Sequence, residues 1–393
     1  MRVVILYNSS WYVFLLRRNL ISSLIQAGHQ VTVVAPRDAY TERVKKLGVA
    51  YRSISMSRSG TALYAECSTL MQIHKALQDC KPHAVLSFTV KCNLYAGLCK
   101  RRIPFLHVAN ISGLGQLFDA GTTVRRIVNL LYRFSLSHTD HVFFQNRDDM
   151  THLVGDGLVD VSRSSLIPGS GVDLGRFTPV VKPVAERRAF LMFGRILPKK
   201  GFYHFIDAAT ELKRRYGERV VFWVLGAPDL ERSESVDLLA RIMDAHARGV
   251  IRYLQSTDDP LPFIREADAV VLPSTYNEGI PRSLLEALAC GKPIVTTDWK
   301  GCRETIDHGR NGYLVTPNST DSLISALSEL ATCEEGQLAA FGRRSREIAE
   351  ERFDERVVIA AYHQALAKHP GVQSATNIGR LAPLTSGPFH AQQ

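Results

Sequence analysis

Short apolar runs alternate with amphipathic stretches along almost the whole chain. In the first half the runs lie at 2–7, 31–35, 50–54, 84–88, 104–108, 141–144 and 164–167. They are continuous rather than alternating, as in strands covered on both faces. Between them, 12–27, 41–47, 62–79, 93–101, 123–137 and 147–154 read as helices. The second half repeats the rhythm, with strands near 189–194, 220–225, 250–254, 268–272, 293–296 and 312–315. Its helices fall near 202–215, 234–247, 260–266, 281–290, 319–330, 337–351 and 355–368. Strand–helix alternation predicts an α/β fold of doubly wound parallel sheets. A chain of 393 residues exceeds one ordinary core, so two domains are expected. Pro179 and Pro183 mark a linker. The expected division is a Rossmann-like domain over 1–178, a linker over 179–188 and a second Rossmann-like domain over 189–354. A helix over 355–369 then crosses back to the first domain. The tail from 370 to 393, rich in Gly, Pro, Ser, Thr and Gln, is expected to be disordered.

The chemistry concentrates between Pro273 and Gly291, in PSTYNEGIPRSLLEALACG. A buried-strand run, Ala269 to Leu272, leads into a polar loop. Pro281 opens a helix and Gly291 closes it, the usual asymmetry of helix ends. Glu278 lies in the loop and Glu286 five residues beyond Pro281, about 7–8 Å along a helix axis. Between the two carboxylates sits a helix N-terminus, a natural seat for phosphate. Hydroxyl-binding groups on either side of a phosphate seat match the layout of a nucleotide sugar. Two such glutamates more often form a solvated face, and a second element shifts the balance. The strand Phe190 to Phe193 runs into Gly194-Arg195-Ile196-Leu197-Pro198-Lys199-Lys200-Gly201, placing two cations, Arg195 and Lys200, around a tight loop.

G-R-x-x-x-K-K-G at 194–201 together with E-G-x-P-x-x-x-x-E-A at 278–287 resembles the donor site of the family 4 retaining glycosyltransferases, which have the GT-B fold. The resemblance implies that Arg195 and Lys200 stabilise a nucleoside diphosphate leaving group and that Glu278 meets the sugar. It implies donor contacts at Gly279, Ile280, Ser283 and Glu286, the last on the ribose, and at Leu254 near the base. Pro168 to Phe177 resembles the family's glycine-valine-aspartate segment, whose backbone, at Gly171, approaches the donor. No metal or other cofactor is implied beyond the co-substrate. Asp258-Asp259, which mimics a metal pair, is accounted for by a turn before Pro260.

Three loops of the first half are expected at the cleft. Asn8-Ser9-Ser10 stands where many family members carry a glycine-rich loop, so Ser9 and Ser10 are acceptor-side candidates without transferable detail. In Ser87 to Asn93, Lys91 can meet a phosphate, while Asn93 can instead cap the next helix. In Ala109 to Gly115, Asn110 stands where many members have a sugar-contacting histidine. Asparagine can bond a hydroxyl but cannot shuttle a proton. SFTVKCN (87–93), NISGLG (110–115) and VFFQNRDD (142–149) resemble the subgroup that extends undecaprenyl-diphosphate-linked sugars in bacterial polysaccharide or glycan assembly. That subgroup implies a UDP-linked hexose or N-acetylhexosamine donor and a polyprenyl-diphosphate-linked saccharide acceptor.

Val124, Ile127, Leu131 and Phe134 form one helical stripe flanked by Arg125, Arg126 and Arg133. Packing on the sheet and lying on a membrane surface both give this pattern. Residues 1–180 hold 21 Lys+Arg against 11 Asp+Glu, whereas 181–393 hold 27 of each, so the net charge of +10 belongs to the first half. A basic half suits an anionic membrane surface or a phosphorylated substrate. It carries no nucleic-acid motif. No apolar run reaches the roughly 20 residues of a span. The seven cysteines form no CxxC pair, and the chain runs straight into a strand without a signal pattern. The expected location is the cytoplasm, peripherally on the inner membrane. The first strand lacks GxGxxG, which argues against a dehydrogenase. A transferase with a soluble acceptor, a sugar-nucleotide epimerase and an inactive binding protein on the same fold remain as rivals.

Overall fold

The computed structural model describes residues 1–56, 63–114, 122–181, 186–229 and 232–368. The first half contains β1 (Arg2–Leu6), α1 (Ser10–Gln26), β2 (Gln30–Ala35), α2 (Thr41–Lys45) and β3 (Ala50–Ser53). It continues with α3 (Leu63–Cys80), β4 (Ala84–Phe88), α4 (Val90–Lys100), β5 (Leu106–Ile111) and α5 (Thr122–Leu136). β6 (His141–Phe144), α6 (Arg147–Gly155) and β7 (Ser164–Leu166) end it. The second half runs β8 (Arg188–Phe193), α7 (Phe202–Tyr216), β9 (Val220–Leu225), α8 (Ser233–Ala247), β10 (Arg252–Tyr253) and α9 (Leu261–Glu266). Then come β11 (Ala269–Leu272), α10 (Arg282–Ala289), β12 (Ile294–Thr297), β13 (Gly312–Val315) and α11 (Thr320–Thr332). Two helices, α12 (Glu335–Arg352) and α13 (Glu355–Ala367), follow.

Seven parallel strands in the order β3-β2-β1-β4-β5-β6-β7 form one sheet, and six in the order β10-β9-β8-β11-β12-β13 form the other. In both, strand order reverses between the first strand and the fourth, β1/β4 and β8/β11. A crevice opens beyond the carboxyl ends at such a reversal. Val3 to Leu6 and Phe190 to Phe193 are buried throughout, which is why these strands are apolar on both faces. The second sheet has one continuous core. The first is covered on each face, and α13 returns to it, adding Val358, Tyr362, Ala365 and Leu366 to the core beside α1. The tail beyond 370 lies outside the described residues.

Several local expectations are corrected. Ala109, Asn110 and Ile111 lie inside β5 rather than on a loop after it, because β4 and β6 pair with Asn110 from both sides. α4 starts at Val90, so Lys91 and Asn93 are helical and Thr89 is the N-cap. Asn93 caps nothing: buried, it accepts from Ser87 Oγ at 2.7 Å and donates to the Asn110 carbonyl at 2.8 Å. α1 takes in Ser10. At the described end of α5, the core receives Tyr132 and Leu136. Leu131 and Phe134, expected on one stripe, are exposed together with Leu130.

Candidate functional site

The reversal point of the second sheet brings the loops after β8 and β11 side by side. Gly194-Arg195 leaves β8, Pro198–Lys200 makes one tight turn, and Gly201 enters α7. Gly201 has φ +88, and a Cβ there would lie 2.2 Å from the Pro273 carbonyl oxygen. Only glycine lets the two loops touch at this point. The Thr275 amide donates to the Lys199 carbonyl at 2.8 Å and ties them together.

The two cations are thereby placed next to Glu278. Lys200, 6% exposed, puts Nζ 2.9 Å from Glu278 Oε1 and donates to Oε2 at 3.1 Å. The Arg195 guanidinium sits 5.9 Å from the ring centres of both Tyr12, on α1, and Tyr276. Burial works against its charge, but Tyr12, Tyr276 and Glu278 hold its pKa above the ordinary arginine value. Pro281, with ψ 122, is the N-cap of α10, and Ser283 lies in its first turn. Ile280 is buried and touches the segment at Gly169. Glu286 is buried, and Arg282 Nε donates to its Oε1 at 2.8 Å. Burial raises the Glu286 pKa, and Arg282 opposes that rise. On the far side, the Leu254 amide donates to the Val224 carbonyl and the Gly226 amide to the Gln255 carbonyl. The set holds two cations at Glu278, and Glu286 lies on the helix whose N-terminus follows the same loop. It can bind a diphosphate carrying a hydroxylated group at each end.

The first half closes over this set. The Gly279 amide donates to the Ser112 carbonyl at 3.0 Å, and Asn146 Nδ2 donates to the Glu278 carbonyl at 3.1 Å. Asp258 accepts from Tyr40 and pairs with Arg43 at 2.8 Å, both on the α2 side of the cleft. Asp259 turns the other way, to Arg176 at 2.8 Å. Sequence reasoning explained these two aspartates by a turn and missed the bridge, since nothing near 258 in the chain signals α2. Arg282 was also missed, although its i,i+4 spacing to Glu286 is a legible ion-pair signal.

The other candidates are engaged elsewhere. Gly171 is glycine because Glu355 passes it: a Cβ would lie 2.4 Å from Glu355 Cα. The neighbouring Val172 exchanges backbone hydrogen bonds with Phe353 and Glu355. The close approach expected toward a donor is made here to the chain entering α13. Ser9 Oγ donates to Asp38 at 3.0 Å, and Ser10 Oγ bonds the Pro36 carbonyl and the Tyr51 hydroxyl. Lys91 pairs with Glu66 at 2.6 Å. Asn110 is fully buried, its Nδ2 donating to the Tyr362 hydroxyl at 2.7 Å and its Oδ1 accepting from Gln145 at 2.9 Å. Arg133 is exposed, whereas the side chains of Arg125 and Arg126 lie outside the described residues.

Residues 17–169 match the family described as glycosyl transferase 4-like domain, and residues 178–348 match glycosyl transferases group 1. The chain is 26% identical over 381 residues to the N,N'-diacetylbacillosaminyl-diphospho-undecaprenol alpha-1,3-N-acetylgalactosaminyltransferase of Campylobacter jejuni, covering 92% of this chain and 97% of that protein. It is 25% identical over 283 residues to an Escherichia coli UDP-Gal:alpha-D-GlcNAc-diphosphoundecaprenol alpha-1,3-galactosyltransferase, covering 68% and 70%. Among solved structures, Anabaena HepE in complex with UDP and glucose superposes with a TM-score of 0.77. At 18% identity over 94% of this chain and all of that one, this likeness establishes the fold.

Proposed function

The chain belongs to the group 1 (family 4) glycosyltransferases, retaining hexosyltransferases with the GT-B fold, and we propose that it transfers a hexose or N-acetylhexosamine from a UDP-sugar to a polyprenyl-diphosphate-linked saccharide. The product would feed bacterial surface polysaccharide or glycan assembly, on the cytoplasmic face of the inner membrane. The observation that carries this reading is the gathering of Arg195, Lys200 and Glu278 with the α10 N-terminus and Glu286 at one strand-order reversal. Relatives matched over most of the chain support the acceptor class by what they are named for.

In this mechanism the bond from the anomeric carbon to the β-phosphate oxygen breaks. An acceptor hydroxyl forms the new bond on the same face, and its proton passes to the departing phosphate. Charge develops on the diphosphate, where Arg195, Lys200 and the amides opening α10 stabilise it. Glu278 orients the sugar through its hydroxyls, and Glu286 accepts from the ribose. Leu254, Gly279, Ile280 and Ser283 line the nucleotide, and Gly171 lets the chain entering α13 pack beneath the cleft. Asn110, Lys91, Ser9 and Ser10 hold the first-domain wall in shape through their own partners rather than by touching the acceptor. The basic first half and the exposed end of α5 suit attachment to an anionic bilayer through Arg125, Arg126 and Arg133. No helix among the described residues is long and apolar enough to cross one.

The test is turnover across a panel of nucleotide sugars, with and without a short polyprenyl-diphosphate saccharide. Transfer that requires the lipid-linked acceptor is expected. Transfer to a water-soluble sugar with no gain from the lipid diphosphate would overturn the acceptor assignment.

A further inference from the structure

Helix α1 carries a cation that the donor site does not use. Arg17 is 2% exposed, and its guanidinium carbon lies 4.2 Å from the centre of the Phe88 ring. Its Nε has no hydrogen-bond partner, and among the described residues no carboxylate or other acceptor is bonded to the guanidinium. A buried charge is ordinarily paired, because desolvation is costly and an aromatic face offsets only part of it. An anion that enters this place on binding supplies the missing partner.

The surroundings are those of a ligand edge. A helical side chain leans toward the start of its helix. The start of α1 lies at the carboxyl edge of the first sheet, beside the β1/β4 reversal. On that edge Asn8 Oδ1 is buried and without a hydrogen-bond partner, and the buried Thr89 Oγ1 has only the Cys92 thiol beside it. Asn8 and Thr89 directly follow Tyr7 and Phe88, whose rings stack at 5.3 Å. β1 and β4 are paired with Leu6 opposite Ser87, so Asn8 and Thr89 leave neighbouring strands side by side. Thr89 is also the N-cap of the eleven-residue α4, and its side chain makes no capping bond. Lys91, two residues on, is neutralised by Glu66.

We propose that Arg17, Asn8 and Thr89 form a phosphate subsite in the first domain, facing the donor site across the cleft and taking the diphosphate of the acceptor. The assignment to the acceptor rests on the function proposed above. A neutral sugar alone would leave the Arg17 charge uncompensated. A phosphate oxygen matches the guanidinium and the α4 amides, and the Asn8 amide can serve either a phosphate oxygen or a hydroxyl.

The experiment is a calorimetric titration of inorganic pyrophosphate into the full-length protein saturated with UDP, which occupies the donor cations. The wild type is expected to bind pyrophosphate. Arg17→Met, similar in length and apolar, is expected to weaken it at least tenfold with UDP affinity unchanged; that unchanged affinity also reports correct folding. Arg17→Lys serves if the methionine variant does not fold, and Asn8→Ala should give a smaller loss with Arg17 in place. No pyrophosphate binding to the wild type, or equal binding to Arg17→Met, overturns the subsite. With a short-chain polyprenyl-diphosphate saccharide, Arg17→Met should raise the acceptor KM at least tenfold and spare the donor KM. Arg17-dependent pyrophosphate binding with an unchanged acceptor KM would keep the subsite and overturn its assignment to the acceptor.

Discussion

Lys200 Nζ lies 2.9 Å from Glu278 Oε1, a buried contact between the loops after β8 and β11. In the role proposed for Glu278, a sugar hydroxyl meets a carboxylate held in place by a cation, with little reorganisation needed at the moment of transfer. Glu278→Gln keeps the shape, weakens the hydroxyl acceptor and leaves Lys200 without its counter-charge. A hydrogen bond to a charged group contributes about 1.5–3 kcal/mol. Turnover should fall roughly 10- to 150-fold while UDP affinity changes little, as steady-state kinetics and UDP titration can check. Unchanged turnover would remove Glu278 from the sugar.

Both halves of this pair were legible in the chain because each sits on a loop announced by a buried-strand run and closed by Gly201 or by the Pro281–Gly291 helix. The parallel strands were legible for the same reason: Val3 to Leu6 and Phe190 to Phe193 are apolar at every position. What was not legible depends on partners distant in sequence. The amide of Asn110 is taken by Tyr362, 252 residues later, and Gly171 is set by Glu355. No local pattern encodes such meetings. Arg17 was hidden differently: on α1 it occupies a core-facing position, and its lack of a partner appears only once its neighbours are in place.

Glu286 gives the donor site a pH dependence. Burial raises its pKa and Arg282 opposes the rise. In the proposed function ionised Glu286 accepts from the ribose, so UDP affinity should be full above the raised pKa. It should weaken as pH falls, beginning at a higher pH than for an ordinary carboxylate. Arg282→Ala removes the opposing charge and should move that onset further up. The sign for stability is the reverse: a carboxyl with a raised folded pKa destabilises the fold as pH rises through that pKa. The variant's loss of Tm should thus be largest near neutrality and shrink on acidification. UDP titrations and melts across pH 4–8 are the measurements, in steps of about half the ~1-unit spread usual for protein carboxylates. An onset at the same pH in both proteins would uncouple Arg282 from the carboxylate.

Asn110 should behave as a structural residue. Asn110→Ala strands the buried Tyr362 hydroxyl and the Gln145 amide, at a cost of about 1–3 kcal/mol for each unsatisfied group. The Tm should drop by several degrees, and Tyr362→Phe introduced into the same protein should recover part of it by removing one stranded group. Donor and acceptor KM should move little in the folded fraction. A large rise in donor KM at unchanged Tm would instead give Asn110 the sugar contact expected of a cleft residue.

The exposed end of α5 makes the last prediction. Leu130, Leu131 and Phe134 are 67%, 43% and 49% exposed on a helix whose Tyr132 and Leu136 already fill the core. Arg133 lies among them, and the Arg101 guanidinium stacks 4.0 Å over the Phe134 ring. Apolar side chains bordered by arginines are how a helix rests in the interface of an anionic bilayer, apolar groups entering and cations meeting headgroups. Fully burying a side chain of this kind is worth about 1.5–3 kcal/mol. Replacing all three by serine should therefore weaken binding to phosphatidylglycerol-containing vesicles tenfold or more. The Tm should stay within a degree or two, because the core face is untouched. Raising the salt should weaken the wild type through its arginines, whereas the triple variant should already be weak at low salt. Equal vesicle binding by the two proteins at low salt would place the membrane contact elsewhere on the basic first half.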